Sequence, residues 1–202
     1  MGRVSDAKQR LLDATIDLIW LHSYGAVTVD NICERAGVKK GSFYYFFPSK
    51  TDIVVAALDA HWLTVKANLD RIFDPAVPPL DRLRNYFEYV YQRQLALKEK
   101  TGRVLGCPYC SVGSETSNSD AVICAKVQEL MANYAKYMET AVRDLQAEGA
   151  ARPQQDVAAQ TRGLFAYMHG VLGQARIQND PEIIRGLEPG ALRFLGVEPA
   201  LA

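Results

Sequence analysis

Residues 28–50 read TVDNICERAGVKKGSFYYFFPSK, and this stretch decides the fold. Thr28 can cap a helix that carries Asp30 in its first turn, where a carboxylate meets free N–H groups and the positive end of the helix. Val29, Ile32, Cys33 and Ala36 follow at i, i+3, i+4 and i+7, an apolar stripe that Gly37 stops. A second, shorter helix runs from Lys39 to Phe47 and ends before Pro48. Two helices about a glycine turn, the second led by cations, suit the DNA major groove, where the first residues of a recognition helix face base edges.

Outward from this segment, helical periodicity continues and strand alternation is nearly absent. Upstream, Ser5 can cap a helix with an apolar stripe of Leu11, Leu12, Ile16 and Ile19, ending near Tyr24-Gly25. Downstream, Ser49-Lys50-Thr51-Asp52 has the form of a capping box and opens a helix to about Arg71. Pro75, Pro78 and Pro79 break it, and another helix runs from Leu80 to about Lys100. Residues 101–119 form a polar interval rich in glycine and serine. The longest pattern then runs from Ile123 through Tyr134 and Met138 to Leu145, stopped at Gly149. A strongly apolar helix covers Gln154 to Gln178, and a short one holding Leu192, Phe194 and Leu195 follows Pro189. The pattern predicts an all-α protein: a three-helix DNA-binding domain with a helix-turn-helix at 1–50, and a larger helical effector and dimerisation domain at 51–202. The helix at 51–71 joins the two.

Composition narrows the function. Of 202 residues, 23 are basic and 23 acidic, so no global field draws the chain to a polyanion. Charge is local instead: Arg35, Lys39, Lys40 and Lys50 stand in a stretch that contains no acid. No apolar run approaches the roughly 20 residues needed to span a bilayer, and the N-terminus lacks the apolar core of a secretory signal. These features predict a cytoplasmic protein with no membrane partner. In that compartment Cys33, Cys107, Cys110 and Cys124 are expected as free thiols.

The residues expected to face DNA follow from the chemistry. Lys39 and Lys40 lead the second helix, Gly41 and Ser42 permit close approach, and Tyr44 and Tyr45 project beyond them. Thr28 and Lys50 begin flanking helices, whose open N–H groups also attract phosphate. A plain helical hairpin with a solvated basic turn is the competing reading. Residues 8–58 closely resemble the N-terminal domain of the TetR family of bacterial transcriptional repressors. The resemblance is carried by Tyr24-Gly25, by Thr28 to Val38, and by Lys40 to Lys50. It implies a homodimer that binds a palindromic operator in double-stranded DNA and is released by a small molecule. It carries DNA contacts onto Thr28, Lys40, Gly41, Ser42, Tyr44 and Lys50, with Lys39 and Tyr45 at variable neighbouring positions. The family often has histidine where Tyr45 stands; Phe43, Phe46 and Phe47 fall at packing positions.

Cys107-Pro108-Tyr109-Cys110 admits several readings. A dithiol switch needs two thiols that can bridge, and a gap of two residues allows it. A metal site needs three or four ligands, so Cys124 and either His61 or His169 would have to join by folding. A thiol oxidoreductase would need a βαβ context, which is missing. Two incidental cysteines in a loop are the plain alternative. One subgroup of TetR-like regulators has Gly-Cys-x-x-Gly-Asn-Leu-Ala-x-Glu here; Gly106, Cys107 and Glu115 match it, while Cys110 replaces a glycine. Some members of that subgroup respond to electrophiles or oxidants, so the resemblance makes Cys107 and Cys110 redox candidates. No catalytic residue, resident metal or cofactor is expected. Phe87, Tyr91, Met131, Tyr134, Met138, Phe165, Met168 and His169 are the candidate walls of an effector pocket, against the alternative of ordinary core packing. Gly163, Gly170 and Gly173, on one helix, suggest close approach by another helix at a two-fold interface.

Overall fold

The computed structural model describes residues 2–151 and 156–197, and every regular element among them is helical. Helix α1 spans Gly2–Leu21, α2 Val29–Ala36, α3 Lys40–Phe46 and α4 Lys50–Ile72. Then come α5 (Pro79–Thr101), α6 (Pro108–Thr116), α7 (Ala121–Ala147), α8 (Val157–Gln178), a 3-10 turn (Pro181–Gly186) and α9 (Leu187–Leu195). Among the described residues no helix is long and apolar enough to cross a membrane.

Helix ends fall where backbone chemistry requires them. Thr28 caps α2 by accepting from Asn31 N, while the Asn31 side chain accepts from Thr28 N at 2.9 Å, closing a reciprocal box. Gly37 ends α2 with φ 61°, a left-handed conformation open to glycine, and Val38 N bonds back to Cys33 O at 3.0 Å. Ser49 takes the N–H of Asp52 and donates its hydroxyl to the Asp52 carboxylate at 2.7 Å, so α4 starts at Lys50 as the capping pattern requires.

Three boundaries differ from the periodicity. Helix α1 begins at Gly2, which places Ser5 inside it rather than at its cap. The polar interval 101–119 contains α6: Pro108 sits at the first helical position, where its missing N–H costs nothing, and Tyr109, Val112 and Thr116 share its buried face. Pro189 lies inside the first turn of α9 instead of preceding it, again where no N–H is needed. Helix α8 starts at Val157 under an Asp156 cap; Gln154 lies outside the described residues.

The residues gather into two compact units. The first joins Met1–Val65 with Pro108–Met131; the second joins Lys66–Cys107 with Ala132–Ala202. This grouping differs from a division at residue 50, because the first turns of α4, all of α6 and the start of α7 pack with the helix-turn-helix. Leu11, Ile19, Ile32, Phe43, Ile53, Leu58 and Tyr109 form the first core. In the second, Leu69, Leu83, Met138, Val142, Leu164, Ala175, Leu187 and Leu195 are buried.

The glycines of α8 divide into two kinds. A Cβ on Gly163 would fall 2.3 Å from Phe194 Cζ, so this glycine seats a ring of α9 from the same chain. Gly170 and Gly173 would meet nothing within 4 Å. Further along the helix, Ile177 is 78% exposed.

Candidate functional site

Helix α3 sorts its aromatic residues by depth. Phe43 is fully buried and Phe47 nearly so, which anchors the short helix; Tyr44 is 52% and Tyr45 78% exposed. Thr28, Lys39, Lys40, Gly41 and Ser42 are exposed as well. The first unit therefore brings seven of the eight expected DNA-facing residues to its surface around the α2–α3 turn. Gly41 has open space around its Cβ direction, so the backbone there can be approached closely.

Two of the cations are already engaged. Lys40 Nζ lies 2.8 Å from Asp30 Oδ1, a pair on the surface at the start of α2, and that carboxylate raises the Lys40 pKa. Lys50 is only partly exposed: its ammonium donates to Tyr24 O and stands 4.0 Å from the centre of the Tyr24 ring. Burial pulls the Lys50 pKa down, opposed by the Glu115 charge. Sequence position at a helix N-terminus gives no sign of that engagement, since Tyr24 lies on another element.

The second unit holds a polar group inside aromatic walls. Tyr86 and Tyr134 share a hydrogen bond of 2.9 Å between their hydroxyls, and burial raises both pKa values well above the usual phenol range. Tyr134 meets Phe165 edge-on at 5.9 Å, and Phe165 meets His169 edge-on at 5.2 Å. Burial lowers the His169 pKa from 6.5 to about 4, so this imidazole is neutral at pH 7. A ring nitrogen of His169 lies within 4.8 Å of Cys107 Sγ.

The chain leading to Cys107 is held firmly. Gln94, itself buried, accepts from Leu105 N at 3.0 Å and Gly106 N at 2.9 Å and donates to Gly106 O at 3.0 Å. Arg176 donates to Leu105 O, and the Asn179 side chain takes Val104 N. Gly106 has φ 66°, a left-handed conformation that favours glycine, which accounts for glycine before the thiol. Cys107 immediately precedes α6 and Cys110 lies in its first turn.

The other candidates scatter. Met138 and Met168 are buried core, and Phe87 and Tyr91 are buried on α5. The Tyr91 hydroxyl donates to Glu182 at 2.7 Å, away from the Tyr86–Tyr134 pair. Met131 is half-buried in the first unit. Among the described residues no grouping of metal-type ligands includes Cys124, whose sulfur accepts from Gln128, or His61, whose Nδ1 bonds the Tyr109 hydroxyl at 2.9 Å. That removes Cys124 and His61 from the metal alternative. Cys33 is buried on α2, and burial raises its thiol pKa. Sequence reasoning missed Tyr86 and Gln94; both partnerships join positions that periodicity cannot connect.

The comparisons with known proteins agree with this architecture. Residues 11–57 match the family described as bacterial regulatory proteins, tetR family, and residues 79–187 match the tetracyclin repressor-like C-terminal domain. The HTH-type transcriptional repressor KstR of Mycobacterium tuberculosis is 29% identical over 131 residues, 63% of this chain but only 60% of that protein. The transcriptional regulator AcuR of Cereibacter sphaeroides is 27% identical over 177 residues, covering 87% of this chain and 79% of AcuR. Among solved structures, a regulatory protein TetR from Rhodobacter sphaeroides superposes with a TM-score of 0.84 at 24% identity, over 93% of this chain and 98% of its own. The reduced form of Escherichia coli NemR superposes with a TM-score of 0.81 at 21% identity, over 97% of this chain and 100% of its own. At those identities the superpositions speak to the fold alone. The named relatives are transcriptional regulators, not enzymes. With a helix-turn-helix in its first unit and both family regions matched along most of its length, the chain belongs to the TetR family of bacterial regulatory proteins.

Proposed function

We propose that this protein is a homodimeric transcriptional repressor that reads a palindromic operator through α2 and α3. The observation that carries the proposal is the sorting of α3, which buries Phe43 while presenting Lys39, Lys40, Gly41, Ser42, Tyr44 and Tyr45 to solvent. Gly41 and Ser42 allow the helix to sit close to the groove, the lysines meet phosphate, and the tyrosines reach base edges or sugar. Two copies related by a two-fold axis would place their reading helices about 34–36 Å apart, one DNA turn. The open stretch of α8 at Gly170 and Gly173 supports a helix-to-helix contact between copies.

Release is assigned to the second unit. Its buried hydroxyl pair, neutral imidazole and rigidly led thiol make a polar centre within aromatic walls, suited to a small molecule or a thiol-reactive signal. Whatever binds there must favour the conformation that does not hold DNA, since equal affinity for both shifts nothing.

The test is binding to DNA from upstream of the protein's own gene, reduced and after mild oxidation with diamide. Lys40→Ala should weaken operator binding about tenfold and lower the salt slope by about one counterion, with the fold intact. Tyr44→Ala should cost a similar factor. Normal operator binding by both variants would discredit the reading face. Loss of binding on oxidation, retained by Cys110→Ser, would make the trigger a dithiol; indifference to oxidation would point to a non-covalent ligand.

A further inference from the structure

Tyr24 and Gly25 lie between α1 and α2, beyond the last helical residue of one and before the first of the other. Their backbone N–H groups have no helical partner, and a carboxylate ninety residues away supplies one. Glu115, in the last turn of α6, accepts from Tyr24 N through Oε2 at 2.8 Å and from Gly25 N through Oε1 at 2.6 Å. The approach is close: a Cβ on Gly25 would stand 2.9 Å from Glu115 Oε1, so the carboxylate would have to shift to admit one.

The rest of Tyr24 is held in the same way. Its carbonyl accepts from Lys50, and its hydroxyl reaches Asp120 at 3.3 Å. Asp120 also accepts from Thr51 at 2.7 Å and caps α7 through Val122 N and Ile123 N. At the opposite end of α6, the Tyr109 hydroxyl is bonded to His61 on α4. Helix α6 is therefore pinned at both ends within the first unit. Glu115 itself is exposed, so its carboxylate adds no apolar packing; what it contributes is direction.

We propose that Glu115 is a positioning residue for DNA reading: its carboxylate clasps the α1–α2 turn, so that the position of α6 sets the angle at which α2 and α3 meet the operator. A turn gripped by both of its open N–H groups cannot rotate without moving α6, and α2 begins at Val29, four residues beyond Gly25. The inference rests on the first unit being the DNA-reading part of the chain.

The experiment uses the full-length protein and its upstream DNA, with amide hydrogen exchange measured alongside operator titration. Glu115→Ala should raise the operator Kd about tenfold or more, since it removes two charge-assisted hydrogen bonds, and should speed exchange at Tyr24 and Gly25. Glu115→Gln keeps a carbonyl acceptor of the same reach and should recover part of the affinity. Gly25→Ala should weaken binding by crowding the same carboxylate, and the double variant should be no worse than Glu115→Ala alone. Melting curves confirm that each variant is folded at the assay temperature. Wild-type affinity in Glu115→Ala, or losses that simply add in the double variant, would overturn the proposal. If the wild-type protein binds no DNA, the reading assigned to the first unit fails, whereas unchanged exchange at Tyr24 and Gly25 in Glu115→Ala removes the clasp itself.

Discussion

The two compact units use tyrosine in opposite ways. On α3, Tyr44 and Tyr45 hold their rings in solvent while neighbouring Phe43 and Phe47 take the core. In the second unit, Tyr86 and Tyr134 point inward and satisfy each other. A hydroxyl at the surface keeps its hydrogen-bonding capacity for another molecule, whereas a buried pair has spent it on the fold. The first arrangement leaves hydroxyls available to another molecule; the second sets two hydroxyls among aromatic rings with each satisfying the other. Stability and the proposed recognition therefore fall on different residues of α3.

The largest effect that would sharpen this contrast is Phe43→Ala. Emptying a fully buried aromatic site should cost about 3–5 kcal/mol, read as a lower urea midpoint, while Tyr45→Ala should stay within about 0.5 kcal/mol. Equal costs would break the sorting of α3. Next comes the pH dependence of the second unit. His169 has its folded pKa lowered to about 4, so between the unfolded value of 6.5 and 4 the unfolded chain takes up a proton that the folded chain refuses. Stability is complete above pH 6.5 and should fall by up to about 3 kcal/mol as pH drops toward 4. Urea titrations at pH 7 and pH 4.5 measure this, and His169→Phe should flatten it; an unchanged slope would place the ring in water. The smallest effect is Tyr86→Phe, which removes one hydroxyl of the Tyr86–Tyr134 bond and should cost about 1–3 kcal/mol. Tyr86→Phe with Tyr134→Phe should recover part of that loss, because both ends of the bond are then removed together.

The same contrast explains what could be read along the chain. The helix-turn-helix was legible because its determinants are contiguous: Thr28 with Asn31, Gly37 after Ala36, Ser49 with Asp52. Each is a cap or turn acting within a few residues, so local chemistry settles it. Helix α6 was missed because its polar composition masks a short buried face of Tyr109, Val112 and Thr116. The pairing of Tyr86 with Tyr134 spans 48 residues, and the grip of Glu115 on Gly25 spans 90; neither leaves a periodic trace. Lys50 shows the limit most plainly. Its place at the start of α4 advertises a phosphate contact, yet its ammonium turns to the Tyr24 carbonyl. The position was legible; the direction of the side chain was not.

Asp30 is paired with Lys40 on the proposed reading face, where its carboxylate would have to be displaced or shared by an arriving phosphate. Any loosely held polyanion meets that repulsion first, and a complementary site offsets it through contacts that random sequence lacks. On that reading the acidic neighbour would disfavour casual encounters. It would shorten the time lost on the vast excess of non-operator DNA, so the search for a single operator would run faster than the count of surface lysines suggests. Asp30→Asn should accordingly tighten binding to random DNA more than binding to the operator, and equal tightening of both would deny Asp30 any such selective effect.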